Sequence, residues 1–284
     1  TVERRGAGGG QGPGGVAIVA GLPAGLDLDM DVINGELARR QGGYGRGARQ
    51  KIERDEAEFL AGVRGGRTIG SPLCIKVANR DSRMDDAART PPVFRPRPGH
   101  ADLAGSIKWL TTDCRETLER ASARETAARV AAGAVAKCLL KIVGIEVFGF
   151  VRSVQDARTD VEVGEGNWRE LVGKRDASET YCPDEGVTAR QCAIIREAKI
   201  AKDTVGGLVE AHAFGCPPGL GSCMDWREKL DARLAFAVMS VQAIKGVEIG
   251  LGRDATLRPG SRVHDPIRYD VSRKGMASLG FVRD

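Results

Sequence analysis

Apolar positions recur along this chain with two periods, and together they predict a mixture of strands and helices. Residues 16–20 form a short apolar run that ends at a Gly/Pro turn, as a buried strand does. Leu73, Ile75 and Val77 recur with the period of two that is typical of a half-buried strand, and residues 145–151 show a similar pattern. Residues 115–142 are rich in alanine and carry apolar side chains at helical spacing, which predicts an interior helix.

One strand–turn–helix order occurs twice in the sequence. VAIVAGLPAGL precedes NGELARRQ, and LVEAHAFGCPPGL precedes REKLDARLAFAVMSVQAI. Each copy has an apolar run, a Gly/Pro turn that ends in Gly-Leu, and an amphipathic segment. We interpret them as an internal pseudo-repeat, although two copies are also compatible with coincidence. No linker-like break in composition interrupts residues 1–284, which favours a single domain.

Composition narrows the class of protein. With 284 residues and 42% hydrophobic content, the chain can bury a sizeable core. Its 43 basic and 38 acidic residues are interspersed, so the net charge of +5 favours a local anion site over a nucleic-acid surface. The seven cysteines lack CxxC or His/Cys spacing, so we expect neither a disulfide framework nor a metal site. The sequence lacks a signal peptide and an apolar run of about 18 residues, and we expect a cytoplasmic protein with no membrane partner.

The segment from 94 to 137 is the most informative about chemistry. His100 lies in the motif RPGHAD at 97–102, where proline and glycine hold the histidine in a turn or loop. A helix-like run with several fixed cations follows this imidazole, as expected of a site for a small polyanion. The alternative is a hydrogen-bonded loop histidine followed by solvated arginines. The notable members of the run are Arg120, Ser122, Arg124, Glu125 and Arg129.

A second basic segment, residues 39–54, is interspersed with glycine. Glycine lets backbone N–H groups approach an anion closely, and arginine binds phosphate and carboxylate oxygens in pairs. Two like charges about 6 Å apart repel by roughly 3 kcal/mol at an effective dielectric constant of about 20, so gathering them favours a bound anion. The alternatives are a flexible solvated loop and a segment that contacts RNA. The cations are Arg39, Arg40, Arg46, Arg49, Lys51 and Arg54.

Several long motifs occur in one order along the chain. They are VAGLPAGLDLD at 19–29, residues 36–73, RPGHADLAG, LERASARETAARVAAGAVAK and residues 216–250. In this order they resemble the chorismate synthase family, and the resemblance covers most of residues 12–265. It implies an α+β fold in which helices are layered between antiparallel β-sheets, assembled as a homotetramer.

The resemblance also implies a reaction and a set of site residues. The reaction is the FMN-dependent 1,4-anti elimination of phosphate from 5-enolpyruvylshikimate 3-phosphate, which gives chorismate for aromatic amino acid biosynthesis. His100 would be the acid/base, and Arg40 and Arg46 match positions associated with NADPH in bifunctional members. The arginines matched to substrate binding are Arg40, Arg46, Arg49, Arg97 and Arg124. The residues matched to reduced FMN are Arg120, Ala121, Ser122, Gln242 and Ala243.

Two regions depart from the family pattern. Where the family has a Glu-Ser-His-Gly turn with an active-site histidine, this chain has Gly9-Gly10-Gln11-Gly12. The residues after Val263-His264-Asp265 do not resemble the family's C-terminal segment, and we expect that segment to be missing. Exchanging a general acid for glutamine removes about 10²–10⁴ of rate. The hypotheses are a lyase with full or reduced activity, a non-catalytic paralogue that keeps anion binding, and a basic RNA-binding protein.

Overall fold

The computed structural model describes residues 2–8, 10–46, 54–80, 82–269 and 279–281. The chain forms two compact units, Thr1–Pro217 and Pro218–Asp284. Helices are mixed with antiparallel strand pairs in the first unit, which agrees with the predicted α+β class. The prediction of one domain over 1–284 stays a prediction.

The first unit contains, in chain order, β1 (Glu3–Ala7), β2 (Gly14–Ala20), α1 (Met30–Gln41), β3 (Ala57–Ala61), β4 (Val63–Arg64), β5 (Arg67–Thr68), β6 (Leu73–Ala78), α2 (Asp102–Trp109), α3 (Arg115–Arg120), α4 (Glu125–Ile142), β7 (Glu146–Val154), β8 (Ala157–Arg158), α5 (Trp168–Ala177), α6 (Glu185–Ala201) and β9 (Gly207–Phe214). The second unit contains α7 (Leu230–Met239), 3₁₀ turns at Gly252–Leu257 and Gly260–Arg262, and the paired strands β10 (Ile267–Tyr269) and β11 (Leu279–Phe281).

The main sheet of the first unit has the strand order β1-β2-β6-β3. Its central strands confirm two predictions, since β2 includes residues 16–20 and β6 buries Leu73, Ile75 and Val77 completely. Full burial of an aliphatic side chain of this size stabilises a fold by about 1.5–3 kcal/mol. A second sheet has the order β8-β7-β9, and β7 confirms the strand predicted over 145–151.

The alanine-rich helix α4 lies in the core because its small side chains let it approach the main sheet closely. Ala127, Ala131 and Ala134 are buried against β2 and β6. A Cβ atom added to Gly15 of β2 would lie 3.4 Å from the Cβ of Ala128. Neither α4 nor another helix within the described residues is long and apolar enough to cross a membrane.

The prediction of one continuous helix over 115–142 is wrong, because residues 121–124 interrupt it. The helix α3 ends at Arg120 and α4 begins at Glu125. Between them, the Ser122 hydroxyl accepts a hydrogen bond from the Arg124 N–H (3.2 Å), and the Ser122 carbonyl accepts one from the Glu125 N–H (3.1 Å). Such local serine bonds compete with the helical pattern. The break therefore places residues 121–124 at a junction between elements rather than on a helix face.

The two copies of the proposed pseudo-repeat both form a strand, a turn and a helix. The first copy is β2 followed by α1, and the second is β9 followed by α7. The helix of the second copy ends at Met239, before the end of the amphipathic sequence, where Ser240 donates its hydroxyl to the Ala237 carbonyl (2.7 Å). The local elements are confirmed, while their relation as a repeat stays a prediction.

Candidate functional site

Two of the predicted substrate arginines meet at a buried carboxylate. Arg40 at the end of α1 and Arg124 just before α4 both donate to Oδ2 of Asp55, over 3.2 Å and 2.6 Å. Only 2% of Asp55 is exposed, and both guanidinium groups are largely buried. Buried ion pairs of this kind need further hydrogen bonds to offset their loss of hydration.

Those further bonds fix both guanidinium groups. Arg40 donates from Nε to the Thr126 hydroxyl (3.0 Å) and from Nη2 to the Ala123 carbonyl (3.2 Å). Arg124 donates from Nη2 to the Ala78 carbonyl at the end of β6 (3.0 Å). The arginine pair is therefore held by the ends of α1 and β6 and by the junction that the broken helix creates.

Within the part of the chain that the structure describes, two guanidinium groups share the Asp55 carboxylate and a third cation acts on one of them. Burial lowers the pKa of Arg40, Asp55 opposes this effect, and the neighbouring cations Arg124 and Arg46 lower that pKa further. Two further cations therefore act on Arg40, and Asp55 offsets their effect and that of burial only in part. An anion placed among them would relieve this repulsion, which is the electrostatic signature of an anion-binding site.

The remaining cations of the basic segment behave differently. Arg39 pairs with Glu36, which Lys137 also contacts at 2.6 Å, so Arg39 belongs to a structural ion pair between α1 and α4. Arg54 makes an exposed pair with Glu56. The predicted binding residue Arg49 and its neighbour Lys51 lie outside the described residues.

His100 lies in a turn, as predicted, next to the start of α2. Gly99 has a φ of +68°, a conformation that favours glycine, and the His100 N–H donates to the Arg97 carbonyl (3.3 Å). Fully buried Asp102 accepts from Arg97 Nε (2.8 Å) and Nη2 (3.0 Å). His100 Nδ1 lies 3.2 Å from Asp102 Oδ1 and 3.1 Å from Arg97 Nη2.

These contacts give Nδ1 of the imidazole a partner whether or not that nitrogen carries a proton. A neutral ring with a free lone pair on Nδ1 accepts from Arg97, whereas a ring that carries a proton on Nδ1 donates to Asp102. Either way the ring is held in place, and about a third of the His100 side chain is exposed. Proton gain and loss at His100 therefore need not disturb the loop.

Asp102 should give the protein an acid-sensitive component of stability. The side-chain hydrogen bonds from Arg97 lower the pKa of Asp102 to about 2. Because a free aspartate has a pKa of about 3.9, this stabilisation is complete above about pH 4 and is lost as the pH falls through about 2. We expect Asp102→Asn to lower the free energy of unfolding at pH 7, and the difference from wild type to vanish near pH 2. Urea unfolding from pH 2 to 7 measures this.

The matched control for this prediction is Asp27→Asn. Asp27 pairs with Arg67 at 2.6 Å, but both side chains are mostly exposed, so water screens the pair. We expect Asp27→Asn to change the free energy of unfolding little at any pH. A deficit of Asp102→Asn that stayed constant from pH 7 to pH 2 would contradict the assigned role of the carboxylate.

The loop that carries Gln11 lies against the broken helix. The Gln11 N–H donates to Glu119 Oε2 (2.5 Å), and the Asn79 side chain donates to the carbonyls of Gly10 (3.0 Å) and Gly12 (2.9 Å). Gln11 Oε1 and Glu119 Oε1 are buried and have no hydrogen-bond partner within the part of the chain that the structure describes. The structure thus brings Gln11 to the junction that holds three predicted FMN residues.

Those three residues lie around the end of α3. Arg120 donates to the Gly6 carbonyl of β1 (3.5 Å), Ala121 ends the helix by donating to the Thr117 carbonyl (2.9 Å), and Ser122 faces Gly10. A Cβ atom on Gly10 would lie only 2.6 Å from the Ser122 Oγ. Glycine at position 10 therefore permits a closer approach than the serine of the family motif.

The other two predicted FMN residues lie in the second unit. Gln242 and Ala243 follow the end of α7. Ala243 has a φ of +68°, which costs an L-residue about 1–2 kcal/mol. Residues with such backbone conformations concentrate at binding and active sites.

Two residues of the site were not predicted. Asp55 and Glu119 are nine-tenths or more buried, yet in sequence they read as ordinary solvated charges within ERDEAE and ETLER. Their significance comes from partners 69 and 108 residues distant, Arg124 and Gln11. The sequence did offer one signal for Asp55: it is an acidic residue that directly follows the basic segment 39–54.

Comparison with known proteins agrees with this geometry. The family model described as chorismate synthase matches residues 4–280. Chorismate synthase of Geobacter sulfurreducens is 53% identical over 288 aligned positions, covering 98% of this chain and 72% of the relative. Chorismate synthase of Desulforamulus reducens is 49% identical over 276 aligned positions, covering 94% of this chain and 71% of the relative. A crystal structure of chorismate synthase superposes with a TM-score of 0.79 at 40% identity, covering 94% of this chain and 74% of the other.

Fold, site and relatives together define a lyase class that acts on a small-molecule substrate. Within that class, the chain belongs to the chorismate synthase family.

Proposed function

We propose that this chain catalyses the chorismate synthase reaction, the 1,4-anti elimination of phosphate and a ring hydrogen from 5-enolpyruvylshikimate 3-phosphate. One observation carries the proposal beyond family membership: Arg40 and Arg124 share the buried carboxylate of Asp55, and Arg46 adds positive charge that acts on Arg40. A substrate with two carboxylates and a phosphate supplies the negative charge that this cluster lacks.

Substrate orientation is the first task of the site. Arg40 and Arg124 are fixed by bonds to the backbone and to Thr126, so they can bind an anionic group without first losing side-chain freedom. Arg46 is exposed and adds charge at the edge of the cluster. Arg97 stands beside His100 and would bind a second anionic group near the acid.

The junction at Ser122 fits a polar, anionic cofactor such as FMN. Buried Gln11 Oε1 and Glu119 Oε1 can accept from ring N–H groups, and buried Arg4 Nη1 is a donor with no partner among the described residues. Arg120, Ala121 and Ser122 would border the group, while the match of Gln242 and Ala243 to FMN binding stays a prediction from the family resemblance. When bound, reduced FMN supplies an electron transiently and recovers it, so the reaction has no net redox change.

His100 would hold the proton that the reaction needs. Arg97 and Asp102 keep the ring oriented in both protonation states, and a positioned imidazole is the commonest general acid or base. Asp102 is thereby a positioning residue for His100.

A second candidate function rests on Gln11. An amide cannot titrate, so a chain that depends on two acid/base histidines would lose most of its rate at this position. The arginine cluster would remain and would bind the substrate without turning it over. This candidate is a non-catalytic paralogue within the same family.

The deciding experiment is anaerobic phosphate release from 5-enolpyruvylshikimate 3-phosphate with reduced FMN, run beside titrations with flavin and with substrate. Reactions without flavin and with oxidised FMN are the controls. Turnover supports the lyase. Substrate binding without turnover supports the paralogue, and loss of both, with salt-sensitive RNA binding instead, would contradict the proposal.

The resemblance further implies a homotetramer in the cytoplasm, and we propose both. Sedimentation equilibrium of the full chain tests the tetramer: a monomer at micromolar concentration would contradict it.

A further inference from the structure

We infer that Asp55 is a positioning residue of the substrate site, which fixes Arg40 and Arg124 as a paired clamp before the anion arrives. This inference deepens the proposed function and rests on it. It assigns to this acidic residue a role in anion binding, although its own charge opposes an anion.

The first observation is the sharing of a single oxygen atom. Both arginines donate to Oδ2 of Asp55, from α1 on one side and from the start of α4 on the other. Two guanidinium groups that share one acceptor atom would repel each other if no negative charge stood between them. Asp55 therefore lets two cations occupy one small region in the absence of ligand.

The second observation is that the fold fixes the backbone of Asp55 but leaves one of its carboxylate oxygens without a hydrogen bond among the described residues. Its N–H donates to the Gln41 side chain at the end of α1 (2.9 Å), which fixes the backbone position. Its Oδ1 is buried and has no hydrogen-bond partner among the residues that the structure describes. Most buried polar atoms are hydrogen-bonded, so a buried oxygen with no partner points to a role other than stability.

Two roles for Asp55 predict opposite results. If Asp55 only neutralises charge, removing its charge makes the site more positive and an anion binds more tightly. If Asp55 positions the arginines, removing its charge releases them and an anion binds more weakly, despite the more positive site. The sign of the change in affinity therefore separates the two roles.

The test is Asp55→Asn, with the affinity for 5-enolpyruvylshikimate 3-phosphate measured by calorimetry on the full chain. We expect the affinity to fall about 10-fold or more, since a charge-assisted hydrogen bond contributes on this scale. Asp27→Asn is the matched control: it removes the same charge from an exposed pair and should leave the affinity within about 2-fold.

A second variant covers the case in which Asp55→Asn does not fold. Thr126→Val removes the hydroxyl that accepts a hydrogen bond from Arg40 Nε (3.0 Å), and it does so without a change of charge. We expect it to weaken binding about 3- to 10-fold. Unchanged affinity in this variant, or unchanged or tighter binding in Asp55→Asn, would overturn the inference. Failure of the wild-type chain to bind the substrate would instead overturn the proposed function on which it rests.

Discussion

Replacement of His100 by alanine is expected to lower kcat by about 10²–10⁴ while leaving the fold intact, because general acid–base catalysis contributes on that scale. The fold should survive since the imidazole is partly exposed, and the bonds between Arg97 and Asp102 that hold the loop do not pass through it. Anaerobic phosphate release at saturating substrate and reduced FMN measures the rate. Urea unfolding measures stability.

The matched control is His212→Ala. His212 on β9 is also partly exposed and bonded to a carboxylate, Glu210 (2.7 Å), and its ring stacks with Phe150 and Phe214 rather than with any residue of the predicted site that the structure describes. We expect kcat of that variant to stay within about 3-fold of wild type. Equal rates for wild type and His100→Ala would remove His100 from the mechanism.

The local elements could be predicted because their cause is local. The alternation of apolar residues in β6 places Leu73, Ile75 and Val77 on one face of the strand, and that face is buried in the core. This alternation can be read without knowing which element packs against the face. The alanines of α4 likewise predict a helix that can pack closely against a sheet. Patterns of period 2 and 3.6 carry this information within a single segment.

The site could be predicted only in part, because its geometry depends on distant partners. The basic segments and His100 stood out in the sequence itself, their individual roles came from a family resemblance, and the structure brings Arg40 and Arg124 together. Asp55 was missed because the burial of one charge is decided by elements far away in sequence. The helix break was missed because alanine-rich sequence favours a continuous helix, and a local hydrogen bond from the Arg124 N–H to the Ser122 hydroxyl overrides that preference.

The backbone around position 11 is fixed independently of its side chain. The Gln11 N–H donates to Glu119, and its carbonyl accepts from the N–H groups of Arg83 (2.9 Å) and Met84 (3.2 Å). Asn79 clamps the carbonyls on either side. A different side chain at this position should therefore enter the site without moving the loop.

We accordingly expect Gln11→His to raise kcat by about 10²–10⁴, since it introduces a titratable group where the family motif has one. The introduced imidazole would lie beside Glu119, whose Oε1 is a buried acceptor with no partner among the described residues. Single-turnover phosphate release with reduced FMN measures the gain.

Gln11→Asn is the matched control, because it keeps an amide that cannot titrate and should produce no gain. A gain equal in both variants would show that size rather than proton transfer limits the rate at this position. Failure of Gln11→His to exceed wild type would mean that the chain does not depend on an acid there.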